Sequence, residues 1–275
     1  MSRPAPWYTG PRAAATLATL VAALAYPRAP WAIERHFTYT YETGTLPSGV
    51  MEIEPWTTLR VGSEADYAVF LDHRLEFELG LTDTLQTAWY INFGGEAVGS
   101  SDDVQQRFVY RGISWEWKWK LADPVADPIG VALYWELGGG LREGDLEFKL
   151  LLDKRWGDVL VAFNAVVEAE LEREDDETEA ELVIEADLAL AYFLSRHLWL
   201  GLELRNHTEV PRFEQIEHTT LLAGPVVGFA QDDWWASLTV LPQVLGKAFE
   251  DDTDGLLVLD EHQRIEARLL FGMHL

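Results

Sequence analysis

The sequence predicts an all-β chain: a transmembrane antiparallel up-and-down β-barrel of about twelve strands, preceded by a signal peptide. Three observations carry that prediction. Apolar residues recur at every second position instead of the third-and-fourth spacing of a helix. In LEFELGLTDTLQTAWYINF, Leu75, Phe77 and Leu79 alternate with Glu76, Glu78 and Gly80, a tight turn follows, and Leu85, Thr87, Trp89, Ile91 and Phe93 alternate on the return. The arms are also long. The upstream arm keeps its alternation from Tyr67 for about a dozen residues, where soluble strands average about five or six and roughly 9–11 cross a bilayer.

Composition bounds the class. A hydrophobic fraction of 48% over 275 residues, with mean hydropathy near zero, excludes a bundle of membrane helices but suits strands that give every second residue to a polar lumen. Twelve Trp and twelve Phe suit aromatic girdles. A net charge of −25 argues against nucleic-acid binding. The lack of Cys agrees with passage through an oxidising compartment.

At the N-terminus, Arg3 and Arg12 precede an apolar run from Ala13 to Ala25, and no acidic residue comes before Glu34. That run is too short to span a bilayer as a helix, so residues 1–32 read as a signal peptide and 33–275 as the barrel. Cleavage after Ala25 and cleavage after Ala32 both stay open.

The strands follow in order. Residues 36–44 look extended and Leu46-Pro47-Ser48-Gly49 turns the chain. The first strand, 51–61, places Met51, Ile53, Thr57, Leu59 and Val61 on one face. Pro55 removes a ladder bond, so the strand begins after it or bulges there. Strands two and three cover about 67–80 and 85–93, with a Gly-rich loop over 94–104. The fourth is the clearest: Ile113, Trp115, Trp117, Trp119 and Leu121 oppose Ser114, Glu116, Lys118 and Lys120. Strand five carries Val131, Leu133, Trp135 and Leu137 outward; strand six, Leu146, Phe148, Leu150 and Leu152; strand seven, Val161 to Leu171 by twos. Strands eight to eleven cover about 181–194, 198–207, 219–230 and 234–244. The last alternates Ile265, Ala267, Leu269, Phe271 and Met273 with Glu266, Arg268, Leu270 and Gly272 to the chain end, as a closing strand must, because an open edge is untenable in hydrocarbon.

Connections after even strands are short, centred on Thr82, Val125, Gly157, Ser195 and Asp232. Several of those after odd strands are expected to be longer or richer in Gly and acid, over 94–104, 138–145, 172–180, 206–218 and 245–260. Short turns on one rim and long loops on the other is the outer-membrane arrangement, with the short turns periplasmic.

Parity then assigns the two faces. Expected lumen-lining residues are Glu52, Arg60, Arg74, Glu76, Glu78, Glu116, Lys118, Lys120, Glu136, Lys149, Glu185, Asp187, Glu203, Arg205, Glu266 and Arg268. Expected lipid-facing residues are Phe77, Trp89, Trp115, Trp117, Trp119, Trp135, Phe148 and Phe271. Acids outnumber bases on the inward face, so a conducting lumen would prefer cations. Glu52, Glu170 and Glu266 are expected to stay hydrated near the rims, and Arg74, Lys118 and Lys120 to form a short basic ladder. On this reading Trp117→Arg is costly and Lys118→Gln is mild.

Three function classes fit: a passive pore or transporter for small polar or cationic solutes, a non-conducting structural or adhesive barrel whose lumen is filled by paired charges, and a membrane lipid hydrolase. The last is weak. Ser114 and Ser237 point inward while His73 points outward, and a hydroxyl without a base is a poor nucleophile. No catalytic residue, cofactor or metal is therefore expected. His207 and His218 do bracket a loop with Glu209, Glu214 and Glu217, but the spacing matches no standard metal site. Expected partners are outer-membrane lipid and lipopolysaccharide, with the barrel-insertion machinery and periplasmic chaperones during biogenesis; the barrel is expected to be a monomer.

The stretches FTYTYETGTLPSGVMEIEPW, LEFELGLTDTLQTAWYINF, ISWEWKWKLADPVADPIGVALYWE, LRNH and WWASLTVLPQ resemble a family of bacterial, porin-like outer-membrane β-barrel proteins. The resemblance covers nearly all of the mature chain and implies the barrel and its location, without implying a substrate.

Overall fold

The computed structural model describes residues 34–63, 67–100, 103–174, 177–249, 255–260 and 262–275. The expected signal peptide and both of its cleavage sites lie outside these residues. The strands are β1 (Met51–Val61), β2 (Tyr67–Thr82), β3 (Leu85–Ser100), β4 (Asp103–Ala122), β5 (Gly130–Gly139) and β6 (Glu143–Trp156). They continue as β7 (Val159–Glu174), β8 (Glu177–Phe193), β9 (Leu198–Pro211), β10 (His218–Ala230), β11 (Trp234–Ala248) and β12 (Ile265–His274). Each pairs antiparallel with its sequence neighbours, and β12 returns to β1 with Glu52 opposite His274 and Val61 opposite Ile265. The sheet is a closed twelve-stranded barrel, the fold of an outer-membrane protein.

Pro55 neither ends nor bulges β1. It pairs in register with Leu75 of β2, and the interruption falls on the other side, where the β1–β12 ladder skips Glu54 and Pro55. The missing N–H therefore costs the closing seam and not the hairpin.

The expected loops of one rim are corrected. Residues 94–100 and 103–112 are ladder, with Glu96 opposite Arg107, and residues 172–174 and 177–180 pair likewise. The connection 123–129 is longer than 140–142, so connection length does not sort by rim. The reason is physical: a ladder needs only backbone groups. It continues through Gly and charged residues beyond the apolar band, where the lipid no longer dictates the pattern. Asp123 organises the long turn. Its carboxylate accepts from the backbone N–H groups of Ala126 and Val125 at 2.9 and 2.8 Å, which hold it below the usual carboxylate range.

Alternation sorts the side chains radially. Trp89, Trp115, Trp119 and Phe148 are exposed on the outer surface; Phe77, Trp117, Trp135 and Phe271 share that face, partly covered by neighbours such as Trp135 stacked on Trp117 at 6.3 Å. This belt of exposed Trp, Phe, Leu, Ile and Val around the wall is the surface lipid covers.

Inside, the two largest buried side chains lie flat across a neighbouring strand. Trp199 covers Gly228 and Trp235 covers Gly272; a Cβ on either glycine would meet the indole ring at 2.1 or 2.2 Å. Only glycine permits that approach. With Phe37, Trp56, Tyr90 and Leu270 they form the main interior cluster, toward the end of the barrel that carries the even-strand connections.

Candidate functional site

Residues 34–50, expected only as an extended lead-in, fold into the barrel. The segment runs from β11 and β9 past β7 and β6 to β3, then enters β1. It meets a strand by backbone bonds only at its end, where Gly49 N–H donates to Gly80 O and Gly80 N–H donates to Val50 O, so the buried backbone groups before that need side-chain partners from the wall. Those partners are present. Ser237 donates to the Arg35 carbonyl at 2.7 Å and the Trp199 indole to the His36 carbonyl at 2.9 Å. Glu203 accepts from the N–H groups of Thr38, Tyr39 and Thr40 at 3.1, 3.0 and 2.9 Å. Asn164 accepts from Tyr41 N–H at 2.6 Å and donates to its carbonyl at 2.9 Å. Asp153 takes the Thr43 hydroxyl at 2.6 Å and Gln86 the Leu46 N–H at 2.8 Å. Phe37 to Tyr41 are at most 5% exposed, so both faces of the segment are buried.

The segment divides the lumen. Above it, toward the rim of the odd-strand connections, lies a cavity of about 660 Å³. Its floor is aromatic and its lower ring cationic: Arg268 stacks on Tyr39 at 3.9 Å, Lys149 on Tyr41 at 4.3 Å and Arg74 on Tyr90 at 4.0 Å. Arg74 pairs with Glu136, Lys149 with Glu147 at 3.0 Å, and Arg205 with both Glu185 and Glu266. Acids crowd the upper wall, among them Glu143, Asp145, Glu168, Glu170 and Glu172.

The expected lumen residues thus fall in two groups. Arg74, Glu136, Lys149, Glu185, Arg205 and Arg268 line the open cavity. Glu52, Glu76, Glu78, Glu116, Lys118, Asp187, Glu203 and Glu266 face inward but are buried, each at most 6% exposed. Arg60 sits higher and pairs with Asp72 at 2.6 Å, while Lys120 lies near the end of the even-strand connections, opposite Ala132. Two expectations are corrected. Glu52 and Glu266 are not hydrated: Glu52 holds the Trp235 indole at 3.0 Å and pairs with His274, and Glu266 accepts from Arg205 at 3.0 Å. Arg74, Lys118 and Lys120 form no ladder, because strand tilt and the intervening β3 separate them. Sequence reading missed Tyr39, Tyr41 and Arg35, whose guanidinium lies 3.4 Å from Glu54 and over the Tyr41 ring.

His36 is the segment's titratable anchor. Burial opposes its charge, yet Glu42 at 2.9 Å and Glu34 at 3.6 Å outweigh burial and push it up to about 9. A raised pKa contributes stability that is complete below about 6.5 and lost as pH rises through about 9. Docking of the segment should therefore weaken between pH 7 and 10, seen as faster chymotrypsin cutting at Tyr39 and Tyr41, which are 5% exposed when docked, and His36→Gln should flatten that rise.

A family model described as "Family of unknown function (DUF6662)" matches residues 30–275. Among solved structures, the chain is similar to the COG4313 outer membrane channel from Pseudomonas putida F1, with a TM-score of 0.61 at 10% identity, covering 85% of this chain and 98% of that one. It is also similar to the NanC porin (0.54, 10%, 81% and 100%) and to the translocator domain of the autotransporter NalP from Neisseria meningitidis (0.51, 13%, 82% and 88%). At these identities the likeness is one of fold. No curated protein matches the chain.

Proposed function

The chain belongs to the DUF6662 family, and from its outer-membrane barrel fold and divided lumen we propose that it is a monomeric, gated passive pore for small polar or cationic solutes, with residues 34–50 as the gate. The observation that carries the reading is the divided lumen: a vestibule of about 660 Å³ open toward one rim and floored by a segment that side chains, not a β-ladder, hold in place. That volume suits a small solute. Ten acidic against six basic residues line it, so its net field favours cations. The stacked Arg and Lys at the floor, below the acids of the upper wall, give the field an axial component that orients zwitterions. No catalytic step is assigned: Ser114 accepts from Asn92 and Ser237 donates to a backbone carbonyl, and neither bonds to a histidine.

A second reading, a non-conducting structural barrel, draws on the filling of the half nearer the even-strand connections by Trp199, Trp235 and the buried carboxylates. Reversal potentials in a KCl gradient separate the two. A pore gives cation preference that is marked at 0.1 M salt, where the Debye length is about 10 Å, and fades toward 1 M, where it is about 3 Å. Stable anion preference contradicts the acidic vestibule, and silence under every condition favours the structural barrel.

A further inference from the structure

Three histidines meet near the rim of the odd-strand connections: His207 on β9, His218 opening β10, and His262 just before β12. Their ring centroids lie 5.3 Å (His207–His262), 6.3 Å (His207–His218) and 6.3 Å (His218–His262) apart. Glu209 reaches between His207 and His218. Its Oε1 is 2.6 Å from His207 Nε2 and 3.7 Å from His218 Nε2, and one donor atom each from His207, Glu209 and His218 lies within 4.8 Å of the others.

Two features point to a cation here. His218 is fully buried, yet neither ring nitrogen has a hydrogen-bond partner; the nearest carboxylate oxygens are at 3.7 and 3.9 Å. A buried polar atom left in that state is costly. His207 carries a carboxylate on each ring nitrogen, Glu185 at 2.6 Å from Nδ1 and Glu209 at 2.6 Å from Nε2. Both carboxylates only accept, so a neutral imidazole with its single N–H satisfies one of them. The ring is therefore an imidazolium, or a neutral ring whose Nε2 binds a metal ion beside Glu209. The first option leaves His218 unpartnered, while the second supplies both rings.

We propose that His207, Glu209 and His218 form a site for a divalent transition metal of the zinc class, with Glu185 as the positioning residue that fixes the His207 tautomer. Two imidazoles and a carboxylate are a borderline donor set that suits Zn²⁺ better than Ca²⁺ or Mg²⁺. Ligands about 2.0–2.1 Å from a tetrahedral ion stand about 3.3 Å apart, and the 2.6 and 3.7 Å separations bracket that spacing. The local charge agrees: Glu181, Glu185, Glu209 and Glu217 surround the position, against Arg205. A carboxylate holding the ligand's second nitrogen is the arrangement that orients metal-binding histidines.

The test is zinc uptake by the refolded full barrel in detergent, measured by competition with a chromophoric chelator, and the visible spectrum of the Co²⁺ form. One ion per chain is expected, with a Co²⁺ absorption that His218→Ala abolishes. Glu185→Gln should weaken binding about 10–100-fold, and Glu214→Gln, in the exposed connection, should leave it unchanged. Heat-modifiable electrophoretic mobility checks that each variant is folded. Zinc held by a folded His218→Ala barrel at wild-type affinity places the ion on the acidic connections. No uptake by the wild type leaves His207 as an imidazolium. Either result overturns the proposal.

Discussion

Replacing Glu203 by Leu should release the N-terminal segment from the lumen. One carboxylate serves the N–H groups of Thr38, Tyr39 and Thr40, the Thr38 hydroxyl at 3.3 Å and the Thr239 hydroxyl at 2.5 Å. The substitution orphans three buried backbone donors, each worth about 1–3 kcal/mol. Relief of the buried charge offsets part of that. The net cost to the docked state is roughly 3–5 kcal/mol, enough to move a closed gate to a mostly open one. Glu203→Gln keeps an acceptor and should cost less. Two readouts apply: channel open probability, and chymotrypsin cutting at Tyr39 and Tyr41, which are 5% exposed when docked. A Leu variant whose segment stays as protected as wild type means that Asn164, Asp153 and Gln86 suffice to hold it.

Trp117→Arg should cost roughly 2–4 kcal/mol in lipid, the range for a cation on the outer face near mid-membrane. Trp117 is central in the outward row from Ile113 to Leu121, stacks on Trp135 at 6.3 Å and packs on Trp115 at 5.1 Å. Refolding titrations in vesicles measure the cost. The mild companion expected at Lys118 no longer holds, because Lys118 is 5% exposed on the same inward face of β4 as the buried carboxylate of Glu116. Removing that charge leaves buried carboxylates less compensated, so Lys118→Gln should also destabilise. A Trp117→Arg barrel as stable as wild type would mean this face does not meet lipid.

The contrast at residues 117 and 118 shows what the sequence makes legible. Period-two alternation reads a residue's face reliably, since the wall has lipid on one side and polar surroundings on the other. It does not say whether an inward residue meets water or packing. Glu116 and Glu170 look alike in sequence, yet one is buried and the other opens on the vestibule. Strand ends were lost where the lipid ends, because beyond it nothing constrains the side chains of 94–100 or 177–180. The inward folding of residues 34–50 is illegible for a different reason. FTYTYE alternates like a wall strand, but its Thr row is as buried as its aromatic row, and its partners lie far away in the chain, as Thr38 and Glu203 do. Asn164 and Gln86 were the available signal: neutral amides facing inward, each able to satisfy a lone backbone group.

The most direct measurement uses the absence of native cysteine. The Thr38 and Thr239 hydroxyls share one Glu203 oxygen, so cysteines at both positions lie within reach of a short reducible bis-thiosulfonate linker. Single-channel recordings of the Thr38→Cys/Thr239→Cys barrel before and after reduction test the gate. The expected result is silence while linked and cation-selective openings once reduced. Equal conductance in both states would show that residues 34–50 do not close the lumen.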